Sequence, residues 1–156
     1  MIIRKAKHGD VDAICELWCE FMDFHEKHEP FYKRAKNGAK IFHKFIKEKI
    51  RSRNALVLVA VQDKEVCAYL LASIDKRSPV FEMRRIGAIY DLAVTESYRR
   101  KGIGERLYKE SIRWFRKRKI DRVELTVATS NPLSTKFWKK HGFKPYYERW
   151  FNNIKS

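Results

Sequence analysis

The sequence predicts an α/β fold, because three kinds of local pattern follow one another along its 156 residues. Apolar residues recur at helical spacing in residues 11–21. Two β-rich runs, residues 55–61 and 65–74, flank a polar turn and therefore predict a β-hairpin. Further along, an apolar run at residues 86–94 leads through a basic loop with two glycines into an amphipathic stretch at residues 105–119. A strand, a loop and a helix are expected there in that order.

The first half of the chain predicts one strand and two helices ahead of the hairpin. Residues 2–5 form a short edge strand, and Asp10 is the N-cap of a helix that runs to about residue 27. Pro30 and residues 33–38 predict a loop. Residues 39–51 form a second amphipathic helix, whose apolar side consists of Ile41, Phe42, Phe45, Ile46 and Ile50.

The second half predicts strands and helices in alternation. The expected elements are a loop at residues 76–79, a strand at 84–94, a helix at 103–118, a strand at 122–128, a short helix at 133–141 and a last strand at 143–151. No internal repeat, low-complexity tract or linker interrupts this order. We therefore expect a single domain that spans residues 1–156.

Composition favours a packed protein in a reducing compartment. The hydrophobic share of 44% and the aromatic share of 13% argue against disorder. No apolar run approaches about 18 residues, which predicts no membrane-spanning helix and no membrane partner. The N-terminus lacks the apolar segment of a secretory signal. Three cysteines cannot all pair, and Cys15 and Cys19 lie one helical turn apart, so buried thiols and a cytoplasmic location are expected.

The formal charge of +16 exceeds what one acidic cofactor requires. It favours an anionic macromolecule, an acidic substrate or simply a basic proteome. The densest run of cations covers residues 113–119, at the end of a predicted helix, where cations also suit the helix dipole. No known RNA- or DNA-binding motif accompanies the run. A solvated helix end and a nucleic-acid contact both stay open.

Residues 98–104, Tyr-Arg-Arg-Lys-Gly-Ile-Gly, have the composition of an anion-binding loop. Such a loop directs backbone N–H groups and the positive end of a helix at one spot. A P-loop needs Ser or Thr after Gly-Lys, which this chain lacks. The dinucleotide fingerprint needs a third glycine where Leu107 stands. The pattern that is left is Arg-x-x-Gly-x-Gly, formed by Arg99, Gly102 and Gly104 after an apolar strand.

This loop resembles motif A of the GCN5-related N-acetyltransferase (GNAT) superfamily, and a later segment resembles the family's second signature. That signature runs Asn, a small residue, an aromatic pair and then Gly-Phe, and it is matched by Asn131, Ser134, Phe137, Gly142 and Phe143. The resemblance covers the whole chain. It implies a mixed, mostly antiparallel central sheet with helices on both faces, in the order β-α-α-β-β-β-α-β-α-β.

The resemblance implies acetyl-CoA as co-substrate and no metal. In the family, the strand before the loop splays away from the next strand and pairs with the pantetheine arm. A backbone N–H there also stabilises the oxyanion. The loop holds the pyrophosphate, which Gly102 and Gly104 allow to approach closely. The implied cofactor-binding residues are Leu92, Ala93, Val94, Arg99, Arg100, Lys101, Gly102, Ile103, Gly104, Glu105, Asn131 and Phe137.

The implied catalytic residues are Tyr90, Asp91 and Trp138. Relatives often place a glutamate and an aspartate side by side where this chain has Tyr90-Asp91, and adjacent strand residues are expected to point to opposite faces. A base that acts through water, or an amine that arrives neutral, stays an alternative. Trp138 replaces the family's acid tyrosine, and an indole N–H cannot transfer a proton at useful pH. Tyr90, Tyr108 and Tyr146 are alternative acids.

These observations predict an acetyl-CoA-dependent N-acetyltransferase that acts on a primary amine, which is a protein N-terminus, a lysine or a small amine. Two alternatives on the same fold stay open. The charge of +16 suggests a nucleic-acid- or ribosome-associated binding protein, and the missing tyrosine suggests a non-catalytic acyl-CoA sensor. Whether the chain forms a homodimer is also left open.

Overall fold

A computed structural model of the chain describes residues 1–155. Its elements are β1 Ile2–Lys5, α1 Val11–His28, α2 Gly38–Arg51, β2 Ala55–Gln62, β3 Glu65–Lys76, β4 Arg85–Val94, α3 Ile103–Lys117, β5 Val123–Glu124 and α4 Pro132–Lys140. Short 3₁₀ turns lie at His8–Asp10, Pro30–Tyr32 and Glu96–Tyr98. The chain divides into two compact units, Met1–Thr126 and the residues from Val127 onward.

The first unit contains a five-stranded sheet in the order β1-β2-β3-β4-β5. The first four strands pair antiparallel with their neighbours, and β5 pairs parallel with β4 because α3 carries the chain back along the sheet. The predicted hairpin turns at Asp63 and Lys64, whose φ angles of 51° and 70° are those of a tight two-residue hairpin turn. The predicted mixed, mostly antiparallel sheet is confirmed.

Helices cover both faces of this sheet. On one face, α1 and α2 form a buried cluster with the strands that includes Val11, Ile14, Leu17, Phe42, Ile46, Val57, Val59, Tyr69, Leu71 and Ala93. The alternate strand residues, such as Leu56 and Leu70, are buried on the other face, where α3 packs. Each fully buried aliphatic side chain there stabilises the fold by about 1.5–3 kcal/mol.

An ion pair between a partly exposed arginine and a buried aspartate joins β1 to the start of α1. Both guanidinium nitrogens of Arg4 donate to the carboxylate of Asp10, at 2.7 and 2.9 Å. The backbone N–H of Lys7 donates to the same carboxylate at 2.7 Å. The Arg4 hydrogen bonds hold the pKa of Asp10 below its usual range. The helix begins at Val11 with Asp10 as its N-cap, as the sequence predicts.

Two predicted strands differ from the structure. The strand expected at residues 122–128 extends only over Val123–Glu124. The last strand, expected at residues 143–151, is not formed, and residues 141–155 contain no strand. Pro145 has no N–H to give to a ladder. Four of the five aromatic side chains of residues 143–151 are 67–84% exposed, so the segment lacks the buried face that a strand of a packed sheet presents; they are Tyr146, Tyr147, Trp150 and Phe151. No helix within residues 1–155 is both long and apolar enough to cross a membrane.

Candidate active site

The loop between β4 and α3 has the backbone of an anion-binding site. Gly102 is the N-cap of α3 with a φ of 75°, and Arg100 has a φ of 64°. The first helical hydrogen bond runs from the N–H of Arg106 to the carbonyl of Gly102, at 3.1 Å. The N–H groups before Arg106 therefore have no carbonyl within the helix, and the positive end of the helix dipole lies with them. A Cβ at Gly102 would meet no protein atom within 4 Å, so the space beside it is open.

Two basic side chains of this loop fold back onto the backbone. The Nε–H of Arg99 donates to the carbonyl oxygen of Val94 at 3.0 Å. The ammonium group of Lys101 donates to the carbonyl oxygen of Ser97 at 3.1 Å and lies 5.0 Å from the ring centre of Tyr98. These contacts hold positive charge at the carboxyl end of β4, beside the loop.

The sheet opens between β4 and β5. Within the described residues, β5 pairs with β4 only at Gly87 and Ala88. On its other side β4 continues to pair with β3 as far as Val94. The backbone of residues 90–94 therefore has a strand partner on one side and an unpaired edge on the other, next to the loop. The predicted Leu92, Ala93 and Val94 lie along this edge.

A β-bulge places Tyr90 and Asp91 on the same face of the sheet. Leu71 is opposite Asp91 and Ala72 is opposite Ile89, so Tyr90 is the extra residue of β4. Both side chains reach residues of β3 that share one face, since Asp91 contacts Tyr69 and Tyr90 contacts Asp75. The expectation that these neighbours point to opposite faces is wrong, because the bulge interrupts the alternation of the strand.

Asp91 has an unusual proton affinity for a carboxylic acid. Burial raises its pKa to about 6. The phenol of Tyr69, which is fully buried, donates to the carboxylate at 3.0 Å and opposes that rise. Burial and the nearby Asp91 charge raise the pKa of Tyr69 well above its ordinary value, so this phenol stays a donor. Asp91 is thus a carboxylate that gains and loses a proton near neutral pH, as a general base requires.

A second polar group lies beside it on the same strands. The hydroxyl of Ser73 and the phenol of Tyr90 each donate to the carboxylate of Asp75, both at 2.5 Å. Burial and the hydrogen bond to Asp75 raise the pKa of Tyr90. Tyr90 is nevertheless 53% exposed, so its ring is accessible from solvent. The sequence analysis assigns no role to Tyr69, Ser73 and Asp75, although the spacing of these three polar residues puts them on one face of β3, with Leu71 between the first two.

Aromatic side chains gather at the end of α1, near the loop. The guanidinium of Arg99 lies 5.7 Å from the ring centre of Phe24. His25 packs edge-on against Phe21, with ring centres 4.3 Å apart. The ring centre of Tyr32 lies 6.4 Å from that of His25. Burial lowers the pKa of His25, so its ring is neutral at physiological pH and packs among these aromatic side chains without a charge.

The second unit holds the remaining predicted residues. The side chain of Asn131 accepts a hydrogen bond from the N–H of Ser134 at 3.2 Å and so caps α4. Trp138 is 8% exposed and packs edge-on against Phe137 and Phe143, with ring centres 4.8 and 5.3 Å apart. Phe137 also contacts His141. The indole of Trp138 is therefore part of the aromatic core of this unit. Nowhere in residues 1–155 do histidine, cysteine and acidic side chains form a group that could hold a metal ion.

Known proteins share both the sequence pattern and the fold. The sequence model of the Acetyltransferase (GNAT) family matches residues 11–143. An N-alpha-acetyltransferase of Sulfurisphaera tokodaii is 30% identical over 149 residues, which cover 91% of this chain and 79% of the relative. An uncharacterized N-acetyltransferase of Methanocaldococcus jannaschii is 26% identical over 155 residues, and these span 98% of this chain but only 66% of that relative.

A solved structure agrees with the observed arrangement of strands and helices. The crystal structure of a tetramutant of a Bacillus halodurans protein superposes with a TM-score of 0.88 at 23% identity, covering 99% of this chain and 100% of the other. That likeness shows the fold, and the family match over residues 11–143 shows the relationship. The chain belongs to the GNAT family of acetyltransferases.

Proposed function

We propose that this chain, as one domain, is an acetyl-CoA-dependent N-acetyltransferase that moves an acetyl group from the thioester to a primary amine. The observation that carries the proposal is the position of Asp91. This carboxyl, with a pKa of about 6, lies on β4 three residues before Val94, where the unpaired strand edge meets the loop. Three residues of extended strand span about 10 Å. A proton acceptor and an anion-binding loop therefore lie on one short segment.

The loop fits the anionic end of acetyl-CoA. Its helical N–H groups lack partners within the helix, and the open space beside Gly102 gives a phosphate access to them. The residues that would hold the pyrophosphate are those predicted from the sequence, Arg99, Arg100, Lys101, Gly102, Ile103, Gly104 and Glu105. The hydrogen bond from Arg99 to Val94 orients a guanidinium toward the same end of β4. The unpaired edge at Leu92, Ala93 and Val94 offers backbone groups to the rest of the co-substrate.

Acetyl transfer requires a proton acceptor and a group that stabilises the oxyanion. Acetyl-CoA supplies the acetyl group as a thioester. Asp91 takes a proton from the attacking amine, directly or through one water, while the new bond from nitrogen to carbon forms and the bond from carbon to sulfur breaks. A backbone N–H of the unpaired edge of β4 stabilises the negative charge that develops on the carbonyl oxygen. The thiol leaves as a thiolate, which its ordinary pKa of about 8.5 makes tolerable without a dedicated acid.

Asn131 and Phe137 keep the cofactor contacts that the family resemblance implies. Trp138 stands where that resemblance implies the acid tyrosine, and its indole supplies no proton to the leaving thiolate. The acceptor stays a class, namely a protein N-terminus, a lysine side chain or a small amine. The aromatic residues at the end of α1 and the polar group of Ser73, Asp75 and Tyr90 are the acceptor-facing residues in this proposal.

Isothermal titration calorimetry with acetyl-CoA and desulfo-CoA tests the binding part. We expect both to bind, and no heat at a few hundred micromolar ligand would refute the proposal. Gly102→Ala should weaken binding by about tenfold or more, about 1.4 kcal/mol, because a Cβ enters the open space beside the loop and is strained at a φ of 75°. Gly102→Asn separates the two causes, because Asn tolerates this conformation but still fills the space.

The matched control is Gly9→Ala, where the added Cβ also meets nothing within 4 Å but lies far along the chain from the loop. It should leave acetyl-CoA binding unchanged.

A thiol-release assay over a panel of amines and peptides tests the acetyl transfer. Binding of acetyl-CoA with no transfer to any member would favour a non-catalytic acyl-CoA sensor over an enzyme.

A further inference from the structure

The fold brings together three basic segments that are far apart in sequence. Residues 51–54 connect α2 to β2, residues 75–85 form the end of β3 and the loop before β4, and residues 116–122 lead from α3 to β5. We call the surface made by these three segments the basic face. Only part of the third segment stood out in the sequence, as the run at residues 113–119.

Hydrogen bonds fix the three segments at one end of the sheet. The guanidinium of Arg118 donates to the carbonyl oxygen of Arg53 at 2.8 Å, which ties the end of α3 to the turn before β2. The N–H of Ile74 donates to the carbonyl oxygen of Asn54 at 2.8 Å. The N–H of Gly87 donates to the carbonyl oxygen of Arg122, also at 2.8 Å. The cations are thus held as one surface by the backbone.

The charge of the basic face is large and consists mainly of arginine. Its segments contain eleven cations and three carboxylates, and nine of the cations are exposed. Eight of the fifteen arginines of the chain lie here, but only three of the twenty lysines. Guanidinium groups bind phosphate oxygens in a bidentate way that ammonium groups do not match. The preference for arginine therefore points to phosphate groups as the partner.

This surface lies away from the loop that we assign to acetyl-CoA. The basic face adjoins Arg85, where β4 begins, and the loop follows Val94, where β4 ends. Ten residues of extended strand, Arg85–Val94, separate them by about 30 Å. The pyrophosphate of the co-substrate therefore cannot account for the cations of the basic face.

Aromatic rings lie against arginines on the same surface. The guanidinium of Arg77 lies 4.0 Å from the ring centre of Phe81, which is 47% exposed. The guanidinium of Arg118 lies 5.4 Å from the ring centre of Trp114. Unpaired bases stack on exposed aromatic rings and on guanidinium planes, whereas paired bases inside a duplex are hidden. We propose that the basic face binds single-stranded RNA through its phosphates, with Phe81 and Arg77 as a stacking platform.

Fluorescence anisotropy with a labelled single-stranded 20-nucleotide RNA of mixed sequence tests the proposal. We expect binding whose affinity falls with salt, with a slope of about −2 or steeper in log K against log salt, as three or more phosphate contacts require. Saturating acetyl-CoA should leave the RNA affinity within about twofold, since the two surfaces lie about 30 Å apart. Competition between them would mean that RNA uses the loop instead, and would overturn the proposal.

A charge-reversal variant locates the surface. Arg84→Glu, Arg85→Glu and Arg116→Glu together should weaken RNA binding by about 30-fold or more, because three phosphate contacts become repulsive. The control reverses three exposed lysines on and before α2, Lys36, Lys40 and Lys44, and so changes the net charge equally. It should weaken RNA binding by no more than about threefold. Equal losses in the two variants would show that only net charge matters.

Titration with acetyl-CoA checks that the variants fold. If the triple variant does not fold, the milder double variant Arg84→Gln and Arg85→Gln replaces it. A sedimentation assay with phosphatidylserine vesicles distinguishes a membrane surface, for which the exposed Val80 and Met83 would be suited. Sedimentation with vesicles but no anisotropy change with RNA would overturn the proposal. So would the absence of any RNA binding at low salt. Neither outcome would affect the acetyl-CoA proposal.

Discussion

The phenol of Tyr69 donates a 3.0 Å hydrogen bond to the carboxylate of Asp91 from the neighbouring strand. The two residues are diagonal neighbours on the face covered by α1 and α2, because Tyr69 is opposite Ala93 and Leu71 is opposite Asp91. Burial alone would favour the protonated acid, and the phenol partly restores the charged form. The balance of these two effects leaves the pKa of Asp91 at about 6.

Acetyl transfer should depend on the charge state of Asp91. As a base it works only when ionised, so kcat/KM should rise with pH through about 6 and level off above. Asp91→Asn should remove this rise and lower kcat/KM by about 10²-fold or more. The measurement is a pH profile of both proteins, with acetyl-CoA binding as the control for an intact site. A wild-type profile that is flat between pH 5 and 8 would contradict the assignment.

The same group should make the fold less stable as pH rises. The pKa of Asp91 is raised in the folded protein above its usual value of about 3.9, so the folded state binds the extra proton. Its contribution favours folding below about pH 4 and is lost as pH rises through 6. Ionised Asp91 should thus cost on the order of 1–3 kcal/mol at pH 7. Asp91→Asn, which keeps an acceptor for Tyr69, should raise the Tm at pH 7.5 and change it little at pH 4.

Tyr69→Phe should raise the apparent pKa of the rate profile. The phenol donates the hydrogen bond that favours the charged form of Asp91. Without this bond, nothing opposes the rise in the pKa of Asp91 that burial causes. We expect the profile to move to higher pH and the free energy of unfolding to fall by about 0.5–1.5 kcal/mol. The control is Tyr69→Phe in the Asp91→Asn protein, where no pH shift should appear. A shift to lower pH in the single variant would refute this role for Tyr69.

Much of this site follows from residues that a sequence displays. Glycine spacing and an apolar run predict the loop at 98–104 and the strand before it, whereas Asp91 is singled out by the family resemblance. The bulge at Tyr90 was not, because a bulge depends on how two strands pair and leaves no local pattern in either one. The contact between Tyr69 and Asp91 joins residues 22 positions apart, and only the register of β3 on β4 brings them together.

The strand expected at residues 143–151 is not formed, and the reason differs from that for the bulge. Residues 143–151 are rich in aromatic residues, which suit a strand, but a strand also needs a partner strand with free hydrogen-bonding groups, and the sequence of one segment does not reveal that partner. The same is true of the basic face, since its three segments are separated in sequence by 20 or more residues and meet through contacts such as that of the Arg118 side chain with the Arg53 carbonyl.

Gly87→Ala should destabilise the sheet where β4 begins. An added Cβ would lie 2.5 Å from Cε1 of Phe115, a side chain of α3 that is 1% exposed. We expect a loss of about 1–3 kcal/mol in the free energy of unfolding, measured by urea titration. Phe115→Leu in the same protein should recover part of the loss by making space. If the double variant is less stable than the sum of the two single changes predicts, the clash is not the cause.

Substitutions at Trp138 test whether the tyrosine that the family has at this position would contribute to acetyl transfer. The indole is 8% exposed among Phe137 and Phe143, so Trp138→Tyr leaves unfilled volume and should cost about 1–3 kcal/mol of stability. Acetyl-CoA binding should persist, and turnover on a good acceptor should stay equal or rise by up to about 10²-fold, the lower end for general acid catalysis. Trp138→Phe separates the hydroxyl from the smaller ring, because it creates a similar cavity and supplies no proton. A gain with tyrosine but not with phenylalanine would show that a phenol at this position protonates the thiolate. A folded Trp138→Tyr protein whose turnover falls tenfold or more would show instead that the indole itself positions the reaction.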